Sequence, residues 1–90
     1  MILQMLILGN NGSFIMNGGS IINNQAGANG GGVMINHANS VFTKTGGSIT
    51  NNVATGQGNT AFRISTPNRW RNADAGPNVN TADYGFWLND

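Results

Sequence analysis

Few side chains in this 90-residue chain are suited to acid, base or metal chemistry. Its acids are Asp74, Asp83 and Asp90, with no glutamate, and His37 is the single histidine. Two carboxylates facing a glycosidic bond can cleave it as general acid and base, so an active site of this kind would need a pair of these aspartates. There is no cysteine, and no second histidine or glutamate to join His37 at a metal. We therefore predict no enzyme activity, no catalytic residues, no metal site and no cofactor.

Net charge disfavours nucleic acid as a partner. Four Lys and Arg against three Asp leave a formal charge of +1, whereas nucleic-acid binding requires clustered positive side chains. The glycines at 30–32 are not followed by the Lys-Ser/Thr of a phosphate-binding loop. The apolar run 1–8 is much shorter than the ~20 residues of a membrane-spanning helix, so we predict no membrane span.

The elements that position these side chains are predicted to be short strands. Fourteen Gly and sixteen Asn fill a third of the chain, and both residue types favour turns over helices. Apolar residues alternate with other residues in short runs between these turns. The runs are Leu3, Met5, Ile7; Phe14, Met16; Val33, Ile35; and Phe62, Ile64. We predict an all-β protein.

An internal repeat organises these runs. Residues 14–26 and 42–54 are identical at eight of thirteen positions, with an offset of 42 − 14 = 28. The same offset aligns Met5-Leu6-Ile7 with Val33-Met34-Ile35, and a one-residue insertion aligns Phe62-Arg63-Ile64 with the latter segment. About two and a half units are present, which indicates a solenoid.

The contents of one unit indicate which solenoid it forms. Three strands of about five residues with three turns of about four complete one coil, and successive coils stack at ~4.8 Å. This predicts a right-handed parallel β-helix, the handedness following from parallel crossovers. Inward positions are Phe14, Met16, Ile21, Val33, Ile35, Phe42, Ile49, Phe62 and Ile64; outward positions are Ile15, Ile22, Met34, Thr43, Thr50 and Arg63. Lys44 occupies the inward position of Met16, so its stem is expected to extend outward to solvent, or the strand to be distorted.

Stacked coils place identical side chains on one another. We predict a ladder of Phe14 over Phe42, Ile21 over Ile49 and Asn24 over Asn52. An asparagine amide both donates and accepts, so Asn24 and Asn52 can bond to each other while satisfying turn backbone groups. The alternative is that Asn is present only because turns favour it.

The first full unit also resembles a known family. Its pattern F-x-M-x-G-G-x-I-x-x-N-x-A followed by G-G-G-V-x-I is similar to repeats of bacterial surface-exposed right-handed β-helix proteins, of the polymorphic outer-membrane, autotransporter and adhesin-like kinds. The resemblance covers residues 4 to about 64 and departs from the pattern at Lys44. It implies a location at the cell surface or outside the cell, either associated with the bacterial outer membrane or secreted. It implies no particular ligand, because such repeats serve many functions. The matching residues are Phe14, Met16, Gly18, Gly19, Ile21, Asn24, Ala26, Gly30, Gly31, Gly32, Val33 and Ile35.

The last quarter of the chain departs from the repeat. We divide the chain into a repeat region, 1–65, and an irregular C-terminal capping segment, 66–90, which covers the apolar end of the last coil. The alternative is a contact surface for a glycan or a protein, since flat rings stack on sugars and anchor interfaces. Its residues would be Trp70, Tyr84, Phe86 and Trp87, with Arg69 and Arg71.

Two functions remain open on the sequence. The first is a non-enzymatic, adhesin-like structural module, the C-terminal fragment of a longer solenoid. Its partners would be a glycan, a host or cell-surface protein, a second copy of the chain or upstream coils of the same chain. The second is a fragment of a carbohydrate-active β-helix, a polysaccharide lyase or hydrolase, with its acidic site elsewhere or in the tail.

Overall fold

The protein is all-β in the part that its computed structural model describes, residues 2–3, 6–9 and 11–81, where no helix is present. The all-β prediction is therefore confirmed. Alternating runs form strands because one side of each run can then be buried. The strands are β1 (Ile2–Leu3), β2 (Leu6–Leu8), β3 (Ser13–Ile22), β4 (Gln25–Ala26), β5 (Val33–Ile35), β6 (Val41–Thr50), β7 (Val53–Ala54), β8 (Ala61–Arg63) and β9 (Arg69–Arg71).

These strands lie in three sheets. The first has the order β1-β3-β6, the second β2-β5-β8-β9 and the third β4-β7. Pairing is parallel throughout, except between β8 and β9. From β3 to β8 the chain passes through the first, third and second sheets, and then through the same three again in the same order.

One pair of strands in each sheet follows the repeat of the sequence. Ser13 of β3 pairs with Val41 of β6, Gln25 of β4 with Val53 of β7, and Val33 of β5 with Ala61 of β8, so each pair has the 28-residue offset. Left-handed backbone conformations repeat with the same offset, at Gly19 and Gly47, Asn23 and Asn51, and Gly30 and Gly58. The corners of the two successive units therefore have matching backbone geometry.

The first and second sheets bury their apolar side chains in one common core. In each of these sheets the side chains on one face are mainly apolar, and these two faces are buried against each other. Ala54, in the third sheet, is buried as well. The core residues are Leu8, Met16, Ile21, Val33, Ile35, Phe42, Ile49, Ala61 and Ala75.

The register of β2 corrects one prediction from the sequence. The 28-residue offset had placed Ile7 on Ile35, but Leu8 pairs with Ile35, at an offset of 27. Because side chains alternate along a strand, a difference of one residue exchanges the two faces. Leu8 is accordingly buried, whereas Ile7 is 60% exposed. Met5, from the same predicted run, lies outside the described residues.

The register of β8 corrects a second prediction. Ala61 pairs with Val33 and Phe62 with Met34, so the offset stays at 28 and the expected insertion is absent. Ala61 therefore takes the inward position beside Val33. Phe62 is buried, with 2% of its surface exposed, but it lies beside Met34 on the other face of the strand, and Ile64 is exposed. The inward position predicted for Ile64 is wrong, and Phe62 is buried on the face opposite to the predicted one.

The same register changes the position of Arg63, which had been predicted to point outward. It pairs with Ile35, a buried residue. Its guanidinium donates from Nη1 to the carbonyl oxygen of Ser40 at 2.8 Å and from Nη2 to that of Ala38 at 3.0 Å. Arg63 thus connects β8 to the turn that precedes β6.

Close backbone contact between loops requires glycine at position 31. A Cβ atom there would lie 2.5 Å from the carbonyl oxygen of Asn59 and 2.8 Å from the carbonyl carbon of Val53. Both obstacles are backbone atoms of the following unit, which cannot rotate away as a side chain can. The glycine therefore allows the loops of the two units to approach.

We expect Gly31→Ala to lower the free energy of unfolding by about 1 to 3 kcal/mol, because the two loops must separate to admit a methyl group. Gly27→Ala is the matched control, since a Cβ at Gly27 meets no atom within 4 Å. Urea unfolding of both variants provides the test. Equal losses in the two variants would contradict the close-contact explanation.

Candidate functional site

The predicted phenylalanine pair lies on neighbouring strands. Phe14 of β3 pairs with Phe42 of β6. Their ring centroids are 6.0 Å apart and the ring planes differ by 8°. Phe42 is buried and Phe14 is half-buried against the core. The stacked rings thus form an apolar contact between the two repeat units.

The isoleucine pair lies deeper in the protein. Ile21 pairs with Ile49, and both side chains are fully buried. β-branched side chains suit this position because they pack well on a pleated surface. The structure therefore brings Ile21 and Ile49 together in the core.

The asparagine pair is joined by side-chain hydrogen bonds. Asn24 donates from Nδ2 to Oδ1 of Asn52 at 2.9 Å, and its backbone N–H donates to the same oxygen at 3.0 Å. Nδ2 of Asn52 donates to the carbonyl oxygens of Ile21 and Thr50, each at 3.0 Å. The amide of Asn52 therefore uses both its donor and its acceptor capacity while almost completely buried.

The residue before each ladder asparagine has a different task. Asn23 and Asn51 have φ values of 60° and 58°, in the left-handed region, and both residues are exposed. Asparagine tolerates this conformation better than most non-glycine residues. Each Asn-Asn pair thus combines a residue that turns the backbone with one that bonds between the two units.

We expect Asn52→Asp to lower the free energy of unfolding by about 2 to 4 kcal/mol, since it removes two donors and buries a charge. Asn36→Asp makes the same chemical change at an exposed position and serves as the control. Chemical denaturation of both variants at neutral pH tests this. A loss in Asn52→Asp no larger than in the control would contradict the role of the buried amide.

Lys44 is the one fully buried charged side chain among the described residues. It pairs with Met16, as the repeat predicts. The expectation that its stem would reach solvent is wrong, because Nζ donates to the carbonyl oxygens of Gly76 and Val79 at 2.7 and 2.8 Å. Strand pairing does become irregular just beyond it, where Asn17 pairs with Gly46. These two carbonyl groups, from the C-terminal residues 66–90, compensate for the lost hydration of the ammonium group.

Residues 74–81, which we name the end segment, lie along the outer edge of β6. Ile49 and Ala75 exchange two backbone hydrogen bonds, of 2.8 and 2.9 Å. The N–H of Lys44 donates to Oγ1 of Thr81 at 2.8 Å, and the N–H of Thr81 donates to the carbonyl oxygen of Lys44 at 3.0 Å. Val79 packs against the core. The end segment thus occupies main-chain groups of β6 that would otherwise lie at a sheet edge.

Burial lowers the pKa of Lys44 below its ordinary value, and the positive charge of Arg71 lowers it further. In the unfolded chain the ammonium group regains its ordinary pKa. Between the two pKa values the unfolded state binds more protons, so the free energy of unfolding must rise with pH.

We expect the wild-type protein to become more stable, relative to Lys44→Met, as the pH rises toward the ordinary lysine pKa of about 10.4, because only the wild type loses the buried proton. Denaturant unfolding of both proteins at a series of pH values measures the difference. The variant corrects for every other titrating group. A difference independent of pH would contradict a lowered pKa at Lys44.

An apolar row lies on the face of the second sheet opposite the core, and it was not predicted from the sequence. Ile7 pairs with Met34, Met34 with Phe62, and Phe62 with Trp70. The rings of Phe62 and Trp70 have centroids 6.3 Å apart and planes within 14°. Trp70 is half-buried in this stack. The one-residue insertion assumed from the sequence aligned Phe62 with Val33. With an unbroken 28-residue offset, Phe62 aligns with Met34, and the row can be recognised.

Of the other residues predicted to form the contact surface, the structure describes only the two arginines. Tyr84, Phe86 and Trp87 lie outside the described residues. Arg69 is exposed, whereas Arg71 donates to the carbonyl oxygens of Ala73 and Asp74, each at 3.0 Å. Arg71 therefore braces the turn after β9.

Groups suited to acid, base or metal chemistry are dispersed in the described part. Asp74 accepts a hydrogen bond from the N–H of Asn51 at 3.2 Å, while Asp83 and Asp90 lie outside it. His37 accepts from the N–H of Asn39 at its Nδ1 atom. Three or more His, Cys, Asp or Glu side chains do not cluster anywhere among the described residues, and no pocket is present there.

Comparisons with protein-family models, curated proteins and solved structures found no match. Within the described ranges, no helix has the length and apolar character needed to cross a membrane.

Proposed function

We propose that the chain is a segment of a right-handed parallel β-helix that serves as a non-enzymatic, adhesin-like module at a cell surface or outside the cell. The observation that carries this proposal is the shared 28-residue offset of three strand pairs, β3 with β6, β4 with β7 and β5 with β8. The repeated order of sheets from β3 to β8 agrees with a coil that returns to the same side after each turn. The handedness rests on the general preference of parallel crossovers.

Such a module would act by displaying side chains in rows. Outward residues of successive coils lie one interstrand spacing apart, about 4.8 Å, on a backbone fixed by hydrogen bonds. Ile15 stands beside Thr43, and Ile22 beside Thr50. Single contacts at such rows are weak, but many copies on one surface bind together far more strongly.

Trp70, at the end of the apolar row of the second sheet, is the residue best suited to contact a partner, since it is partly exposed whereas Phe62 beside it is buried. Its aromatic ring can stack on a sugar or anchor a protein contact. We propose a glycan or a protein of a host or cell surface as that partner. Asp74, the acid within the described residues, already accepts a hydrogen bond from Asn51, and no observation there favours the carbohydrate-cleaving alternative.

We expect beads that carry many copies of the chain to be retained on arrays of glycans or cell-surface proteins, and Trp70→Ala to reduce retention about tenfold. Val53→Ala is the control, because it removes an exposed apolar side chain from a different sheet. Equal retention of both variants would contradict the role of Trp70.

The same preparation separates the two functional classes. Under the adhesin-like proposal, acidic polysaccharides keep their chain length after incubation with the protein. Cleavage that is lost in Asp74→Asn would overturn the non-enzymatic proposal and establish the carbohydrate-active alternative.

A further inference from the structure

The outer edge of β6 has the features needed to receive another strand of this repeat. On its inner edge, the first half of β6 already pairs with the first half of β3, namely Val41 with Ser13, Phe42 with Phe14, and Thr43 with Ile15. A further strand with the sequence of residues 13–16 would continue these rows by the same pairing. The end segment, residues 74–81, lies in that place instead.

β3 has an edge that could supply such a strand. Among the described residues, its pairing with β1 is confined to Ser20 and Ile21. On the β6 side the pairing extends from Ser13 to Ile22. On the side of β3 that faces away from β6, the main-chain groups of its first half therefore have no strand partner among the described residues.

Lys44 makes the outer edge of β6 unsuitable for that strand while the charge remains. A docked β3 strand would place Met16 beside Lys44, as the existing pair does. The carbonyl groups of Gly76 and Val79 that accept from Nζ belong to the end segment and would be displaced. A methionine side chain provides only a weak acceptor, so the ammonium group would be buried without adequate partners, at high cost.

We propose that Lys44 and the end segment together close the β6 edge against a second copy of this chain, whose β3 strand would otherwise dock there head to tail. Such contacts are heterologous and do not close on themselves, so repeated docking would yield linear assemblies. The inference rests on the proposed stacking of 28-residue coils. It adds that the chain itself limits how far stacking between molecules proceeds.

Three full-length variants test this proposal. Lys44→Met removes both the buried charge and the two hydrogen bonds that Nζ donates to the end segment, and leaves the backbone hydrogen bonds in place. Thr81→Val weakens the end segment, through the lost Oγ1 acceptor, but leaves the charge in place. Thr43→Met is the matched control, since it adds the same side chain to the same strand on the opposite face.

Amide hydrogen exchange and sedimentation velocity are measured on all of these proteins. We expect exchange at Ala75 and Thr81 to rise at least about tenfold in Lys44→Met and in Thr81→Val. We expect the average mass to rise with concentration, by more than about twofold, in Lys44→Met alone. The wild type and Thr43→Met should keep a constant mass.

Each other outcome overturns the proposal. Unchanged exchange in Lys44→Met shows that Lys44 does not hold the end segment. Faster exchange without a change of mass shows that the freed edge does not bind a second copy, although the coil stack within the molecule stands. Association of Thr81→Val, Thr43→Met or the wild type shows that the charge is no barrier. If Lys44→Met does not fold, Thr81→Val still decides, because its association contradicts the proposal and its constant mass with faster exchange supports it.

Discussion

Parallel main-chain pairing at a 28-residue offset is the constraint on which the other features of this structure depend. Bonds such as that from the N–H of Val53 to the carbonyl oxygen of Asn24, 2.9 Å long, fix which residues become neighbours. Because strand side chains alternate between two faces, this register also decides which of them enter the core. The stacked rings of Phe14 and Phe42 and the contact of Ile21 with Ile49 are consequences of it.

The corners maintain this register because their backbone geometry repeats with it. Asn51 adopts a left-handed conformation that redirects the chain, and Asn52 then turns its amide inward to bond with Asn24. Gly31 lacks the Cβ atom that would force neighbouring loops apart. A corner that turned differently would shift the next strand along its partner and exchange its faces. Turn chemistry and core packing therefore support the same arrangement.

The sequence predicted the parts in which identical residues repeat at a constant offset. It identified the all-β class and the pairs Phe14–Phe42, Ile21–Ile49 and Asn24–Asn52, which the structure brings together. It failed where local hydrophobicity was used to set the register. A one-residue insertion was introduced so that the apolar residues Phe62 and Ile64 aligned with Val33 and Ile35, yet the small Ala61 pairs with Val33.

Other features were not predictable from one unit, because they depend on contacts with distant residues. Lys44 could be recognised as a departure from the repeat, but its carbonyl partners come from a tail without any repeat pattern. The row that ends at Trp70 depends on an antiparallel strand, β9, which follows no 28-residue rule. The free-energy cost of burying the Lys44 charge is thus offset by hydrogen bonds to carbonyl groups that lie outside the repeat.

The most direct test of the 28-residue register is a set of proton–proton distances measured by NMR on the full chain. The account predicts nuclear Overhauser contacts between the side chains of Ile21 and Ile49 and between the rings of Phe14 and Phe42. It also predicts contacts between the amide protons of Asn24 and Asn52. Contacts that instead join strands adjacent in sequence, such as β3 with β4 in an antiparallel hairpin, would contradict it.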